Sequence, residues 1–152
     1  LSEKQKIFLS AVSGQFEDCR KALRSDLAAK GIKVVVQEDF QQGPGTLLEK
    51  LEHYIASCDF IIALVGDAYG WEPPVTALPE NSPTRSYTQW EYYFAQGERL
   101  DGTTAPSKPV YVYFATPDYL ARYPINQSEK QAQRQQQFIN EIKATDKDHS
   151  FF

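Results

Sequence analysis

The chain has 152 residues, of which 41% are hydrophobic and 13% aromatic, and a formal net charge of −4. That length suffices for one domain with a real core, and the composition excludes a disordered chain. The acidic balance gives no general reason to bind nucleic acid or an anionic membrane, and no apolar run approaches the roughly 20 residues of a membrane span.

Taken in order, Ile7-Phe8-Leu9-Ser10 is a short apolar run of the kind that forms a buried strand. Ala11 to Gln15 reads as a loop. Phe16, Cys19, Leu23 and Leu27 then recur at helical spacing, with Gly31 closing that helix. Ile32 to Val36 is β-branched and strand-like. Gln37 to Gly45 is an acidic loop broken by glycine and proline. Thr46 with Glu49 three residues on has the pattern of a capping box, and Leu47, Leu48, Leu51 and Ile55 form the apolar face of the helix that follows. Phe60 to Val65 is the most apolar run and reads as a central strand.

Gly66 to Arg85 carries four prolines and Trp71, a loop long enough to expect a mobile lid or contact segment. Ser86 can cap a helix that runs through Glu91 and fades near Gly97, placing Tyr87 and Glu91 on one face. On that reading Glu91 is partly exposed at the helix mouth, so Glu91→Gln should change stability by no more than roughly 0.5 kcal/mol. Trp90, about 100° round an ideal helix from Glu91, reads as packing. Val110 to Phe114 is a fourth strand. Thr116 to Tyr123 is irregular or one short helical turn. Ser128 to Ala144 is a Gln-rich helix with Phe138, Ile139 and Ile142 on its apolar face.

Alternating strands and helices predict an α/β domain, a flavodoxin-like three-layer fold with a central parallel sheet. Ligands of such sheets bind beyond the carboxyl ends of the strands. The loops at Ala11–Gln15, Gln37–Gly45 and Gly66–Arg85 and the start of the Glu91 helix converge there by topology alone. Cys19 and Cys58 are too few for a disulfide framework and do not stand at metal-ligand spacing to His53 or His149. They read as core thiols of a reducing compartment, the cytoplasm. No signal peptide is read ahead of Lys6. The start at Leu1, the absence of Met and the apolar end at Phe151-Phe152 read as a single domain, residues 1–152, cut from a longer multidomain protein.

The turn after the first strand, Ser10-Ala11-Val12-Ser13-Gly14, lacks G-x-G-x-x-G, which argues against hydride transfer on a Rossmann fold, and no P-loop is present. The acidic pair Glu38-Asp39 follows the second strand rather than the first, against a phosphate-accepting receiver. No Ser-His-Asp set is visible. What remains is a carboxylate, aromatics and backbone donors, with no metal and no resident cofactor.

These residues resemble the Toll/interleukin-1 receptor (TIR) domain family in its bacterial form, in order along nearly the whole chain. Ile7-Phe8-Leu9-Ser10 is similar to the family's F-[IL]-S strand. Gly31-Ile32-Lys33-Val34 with the acidic loop through Gly43 and Gly45 resembles its second strand and BB loop, and Leu48 to Asp59 the helix after it. Ser86, Tyr87, Glu91 and Ala95 resemble its S-x-W-x-x-x-E-x-x-x-A helix, with Tyr87 in place of Trp. Tyr69-Gly70-Trp71 followed by Ser86–Ala95 also resembles a TIR-related module at the front of bacterial multidomain proteins. Gln37 stands where many members carry Asp, and Gly66-Asp67 replaces the usual Ser-Pro. The family's fifth strand and last helix are missing or begin only at Ser150-Phe151-Phe152.

The resemblance implies the TIR fold and cleavage of NAD+ at the nicotinamide–ribose bond, as a glycohydrolase or cyclase. It further implies self-association with other TIR domains as the switch and a role as an effector in bacterial immune or stress signalling. Glu91 would be the catalytic residue, holding the ribose hydroxyls and stabilising an oxocarbenium-like transition state. Tyr87 or Trp71 would stack a ring of the substrate, and Ser10 with the N–H groups of Ala11, Val12 and Ser13 would meet the phosphates. Asp39 and Phe40, in the acidic loop, complete the implied substrate-binding set. The alternative within the same resemblance is a non-catalytic interaction module working through the BB loop. A nucleoside deoxyribosyltransferase, which also uses a carboxylate on an α/β sheet, is a more distant reading.

Overall fold

The computed structural model describes residues 5–40, 42–145 and 149–151. Gln41 in the acidic loop and Phe152 in the expected last strand therefore lie outside the described residues. Strands β1 (Lys6–Ser10), β2 (Lys33–Val35), β3 (Phe60–Val65), β4 (Val110–Phe114) and β5 (His149–Phe151) form one sheet in the order β2-β1-β3-β4-β5. Every pairing in it is parallel. This is the flavodoxin-like strand order expected from the sequence pattern. The fifth strand, only suggested by the resemblance, is short and pairs with β4.

Helix α1 (Ser13–Ala29) follows β1, α2 (Leu47–Ser57) precedes β3, and α3 (Tyr87–Ala95) follows the long loop. Helices α4 (Pro117–Arg122) and α5 (Glu129–Thr145) lie between β4 and β5. Right-handed crossovers split them between the two faces of the sheet. On one face Phe8, Val35 and Ile61 meet Leu48, Leu51, Ile55, Trp90 and Phe94. On the same face Ala63, Val65, Val112 and Phe114 meet Tyr92, Phe138 and Ile142. The other face packs Leu9, Val34 and Leu64 against Phe16, Leu23 and Leu27 of α1, with Tyr119 of α4 beside them. Alternation along the strands thus sorts one residue set to α2, α3 and α5 and the other to α1 and α4. Fully burying Leu48, Leu51 and Ile55, all at 0% exposure, contributes roughly 1.5–3 kcal/mol each.

Helix ends follow local chemistry. Thr46 Oγ1 accepts from Glu49 N (3.1 Å), as the sequence suggested. At α3 both halves of a capping box form, between Ser86 and Gln89. Three stretches differ from the sequence reading. Helix α1 starts at Ser13, because the Val12 carbonyl already accepts from Gln15 N and Phe16 N, and the backbone kinks at Phe16. Gln37–Phe40 is a 3-10 turn, held where Asp39 Oδ2 accepts from Val36 N (3.0 Å). Thr116 caps α4, whose first residue is Pro117, so that stretch is a true helix. Cys58 is buried and its thiol, pushed up to about 11 by burial, donates to the Ile55 carbonyl; Cys19 is half-buried.

Gly97 terminates α3 at φ +103°. The chain then doubles back so that Ala105 N donates to the Gly97 carbonyl (2.8 Å). An ideal Cβ at Gly97 would lie 2.2 Å from the Ala105 carbonyl oxygen. Gly97→Ala is therefore expected to lower stability by roughly 2–3 kcal/mol in urea unfolding, with the m-value unchanged. A loss within experimental error would show that the return segment yields to the methyl group.

Candidate active site

The carboxyl ends of β1 and β2 and the first turns of α3 meet at one point, and Glu91 is there. Its side chain is 1% exposed, so the partly exposed carboxylate expected from the sequence is corrected to a buried one. Ser10, the last residue of β1, has the same parity as Phe8 and so faces α3; its Oγ donates to Glu91 Oε1 at 2.6 Å. Gln37, the first residue of the turn after β2, donates from Nε2 to Glu91 Oε2 at 3.3 Å. Burial pushes the Glu91 pKa up to about 8 against the pull of the Ser10 hydrogen bond; the negative charge of Glu38 adds to the rise, while Arg20 and Gln37 oppose it. Glu91 is thus close to half-ionised slightly above neutral pH, where proton-transfer and charge-stabilising groups are useful.

Two charged residues stand behind this pair. Arg20 of α1 forms an ion pair with Glu38 (2.6 Å) and is nearly buried, side chain 13% exposed. Burial disfavours the Glu38 carboxylate, but its bonds from Arg20 and Ser13 outweigh that and hold its pKa below the usual value. Glu38→Gln removes a like charge from Glu91 and leaves the Arg20 cation uncompensated. Both changes favour ionised Glu91, so the Glu91 titration, followed by carboxyl NMR, is expected to move to lower pH. An unmoved midpoint would show that burial alone sets it.

The other sequence-derived residues divide. Ser10 and Ser13 belong to the Glu91 neighbourhood, Ser10 directly and Ser13 through Glu38. Val12 and Ser10 line a small cavity of about 10 Å³ together with Thr88 and Ala68. Ala11 is buried on the opposite face, in the α1 cluster. Asp39 is occupied by Val36 N and by Arg24 (3.1 Å). Phe40 packs against Tyr54, ring centroids 5.2 Å apart, and Tyr87 is half-buried against the Leu48–Trp90 cluster. Trp90 is packing, as expected. Trp71 is 86% exposed; its carbonyl accepts from Tyr87 N, and it lines a pocket with Val12.

Sequence reasoning missed Arg20, Gln37 and a set of buried amides. Gln15 is 2% exposed and donates to Asp67 Oδ1 (2.6 Å). Gln135 of α5 donates to the Gly66 carbonyl (2.9 Å) and accepts from Gln89 Nε2 (3.3 Å). Gln127 accepts from Tyr69 N and donates to the Asp67 carbonyl. These amides pin the start of the Gly66–Arg85 loop, and Tyr87 N donates to the Trp71 carbonyl (2.8 Å). The available signal was Gln135, which shares helical spacing with the apolar Phe138 and Ile142 on the buried face of α5.

Among the described residues no group of three or more His, Cys, Asp or Glu is placed to hold a metal ion, and no helix is long and apolar enough to cross a membrane. No curated protein shows significant similarity to the chain. The profile of one family, described as a domain of unknown function (DUF4062), matches residues 6–152, and the chain belongs to that family.

Proposed function

We propose that this domain cleaves the nicotinamide–ribose bond of NAD+, with Glu91 as the catalytic residue and self-association as the switch. The observation that carries the reading is the buried Glu91 carboxyl on Ser10 Oγ at the carboxyl edge of a parallel sheet. A hydroxyl donating to Glu91 Oε1 is the same chemistry a ribose hydroxyl offers. Substrate would take over the Ser10 contact while Gln37 keeps hold of Oε2.

The step needs no strong acid. The C1′–N bond breaks, its electron pair passes to the pyridinium nitrogen, and nicotinamide leaves neutral. Positive charge develops on C1′ and the ring oxygen of the ribose, and an ionised Glu91 in a dry site stabilises it far more than it would in water. Water then adds to C1′ and loses a proton, giving ADP-ribose. Burial that makes Glu91 hard to ionise in the free protein makes the carboxylate correspondingly sensitive to a cationic partner.

A second reading is an interaction module in which Glu91 only ties α3 to β1. The same burial favours it, since Ser10 and Gln37 together satisfy both carboxyl oxygens. Nicotinamide release from NAD+ by the clustered protein, wild type beside Glu91→Gln with assembly measured in parallel, separates the two. Release by wild type alone supports the enzyme; no release by either, with assembly intact, supports the module.

A further inference from the structure

A pocket of about 400 Å³ opens at the same edge of the sheet, on the far side of the β1–α1 turn from Gln37. Its walls include Val12 and Ala68, Trp71 and Ile125, and the amide side chains Asn126 and Gln131; among the described residues no charged one lines it. The backbone around it is fixed. Tyr69 is 1% exposed, with its hydroxyl on Glu72 and its N–H on Gln127. Gly70, at φ +88°, passes so close to Val12 that an ideal Cβ would meet its methyl at 3.3 Å. The Trp71 carbonyl accepts from Tyr87 N. The indole, in contrast, is 86% exposed. A large aromatic held on a rigid backbone beside an uncharged pocket, with carboxamides across from it, matches a flat heteroaromatic ring that has donors and acceptors on its edge.

The pocket also lies near Glu91. Val12 and Ala68 are walls both of it and of the small cavity lined by Ser10 and Thr88. Ser10 in turn holds Glu91 at 2.6 Å. A molecule seated against Trp71 and extended past Val12 therefore runs toward the buried carboxyl, along the first turn of α1. Val12 gives that turn no side-chain cap.

We infer that the Trp71 pocket takes the adenosine end of the dinucleotide, base stacked on the indole, while the nicotinamide ribose reaches Glu91 past Ser10. This rests on the NAD+ reading above and names the second half of its binding site. It also assigns the Gly66–Arg85 loop a fixed role, as the wall that presents Trp71.

The test begins with AMP, which requires no turnover. AMP is expected to quench tryptophan emission saturably in wild type and in Glu91→Gln, and the quench is expected to vanish in Trp71→Ala, where the core residue Trp90 still emits. With NAD+, Trp71→Ala is expected to raise KM about tenfold with kcat nearly kept, the size of loss that one stacked base gives. Trp71→Tyr should restore most of it. Nicotinamide mononucleotide, which has no adenosine, should show no such difference between the variants. AMP binding that ignores Trp71→Ala, or an equal KM change for both substrates, would overturn the assignment. AMP bound at Trp71 by a protein that releases no nicotinamide would uphold the pocket as an adenosine site and overturn the cleavage reading instead.

Discussion

At pH 8, Glu91→Gln is expected to be more stable than wild type by about 4 kcal/mol, and at pH 4 the two are expected to be nearly equal. In the unfolded chain Glu91 titrates at its ordinary value near 4.5, whereas in the folded protein burial raises it to about 8. Between those values the native state binds a proton that the unfolded state has lost. Stability therefore falls as pH rises from about 4.5 to about 8, at up to about 1.4 kcal/mol per pH unit, and levels off above. Gln cannot ionise, so the variant has no such slope from this position. Its amide can still accept from Ser10, and Gln37 can turn its own amide to meet the new N–H group. Other titrating groups are common to both proteins and drop out of the difference. Urea unfolding of the pair from pH 4 to pH 9 gives the result directly; parallel profiles would show that Glu91 does not titrate in this window.

The same substitution is expected to reduce NAD+ cleavage on the order of 10²–10³-fold at pH 8, the usual consequence of losing one preorganised electrostatic group. The loss belongs in kcat more than in KM, because the interaction strengthens as the ribose gains charge. For wild type, kcat/KM is expected to climb about tenfold per unit as pH rises toward about 8 and then level, since only the ionised carboxylate stabilises the cation. Turnover by Glu91→Gln equal to wild type, with assembly intact, would return Glu91 to a purely structural role. A profile that falls across this range would instead make Glu91 an acid. Taken with the first result, the variant would be both more stable and less active, the signature of a site whose function opposes folding.

The sheet was legible because its strands are apolar runs separated by helical periodicity. Phe60–Val65 could scarcely be anything but a central strand, and Ser86 announced α3 through its cap. The short elements were harder, since α4 and the Gln37–Phe40 turn depend on single contacts such as Thr116 to Tyr119 N and Asp39 to Val36 N. Glu91 itself stood out in the sequence, but its burial did not. Ser10 is 81 positions away and Gln37 is 54 away, so no local pattern records that they close over the carboxyl. The i, i+4 spacing of Tyr87 and Glu91 suggested a shared ligand surface, yet tertiary packing drew Tyr87 into the apolar cluster. The glutamines were read for helix propensity alone, because an amide buried by tertiary contacts looks the same in sequence as one in solvent.

Those glutamines have a mechanical consequence. Ser86, Gln89, Gln135 and the Gly66 carbonyl form an unbroken chain of amides across α3, α5 and the end of β3. Gln89 is two residues before Glu91, about 200° round the same nine-residue helix. Sliding α5 along the sheet would break the Gln135 bond to the Gly66 carbonyl whether or not α3 travels with it, stranding a buried amide at about 1–3 kcal/mol. The bonds therefore rivet both helices to the end of β3, so the helix that carries Glu91 is anchored to the sheet from the side opposite Ser10 as well.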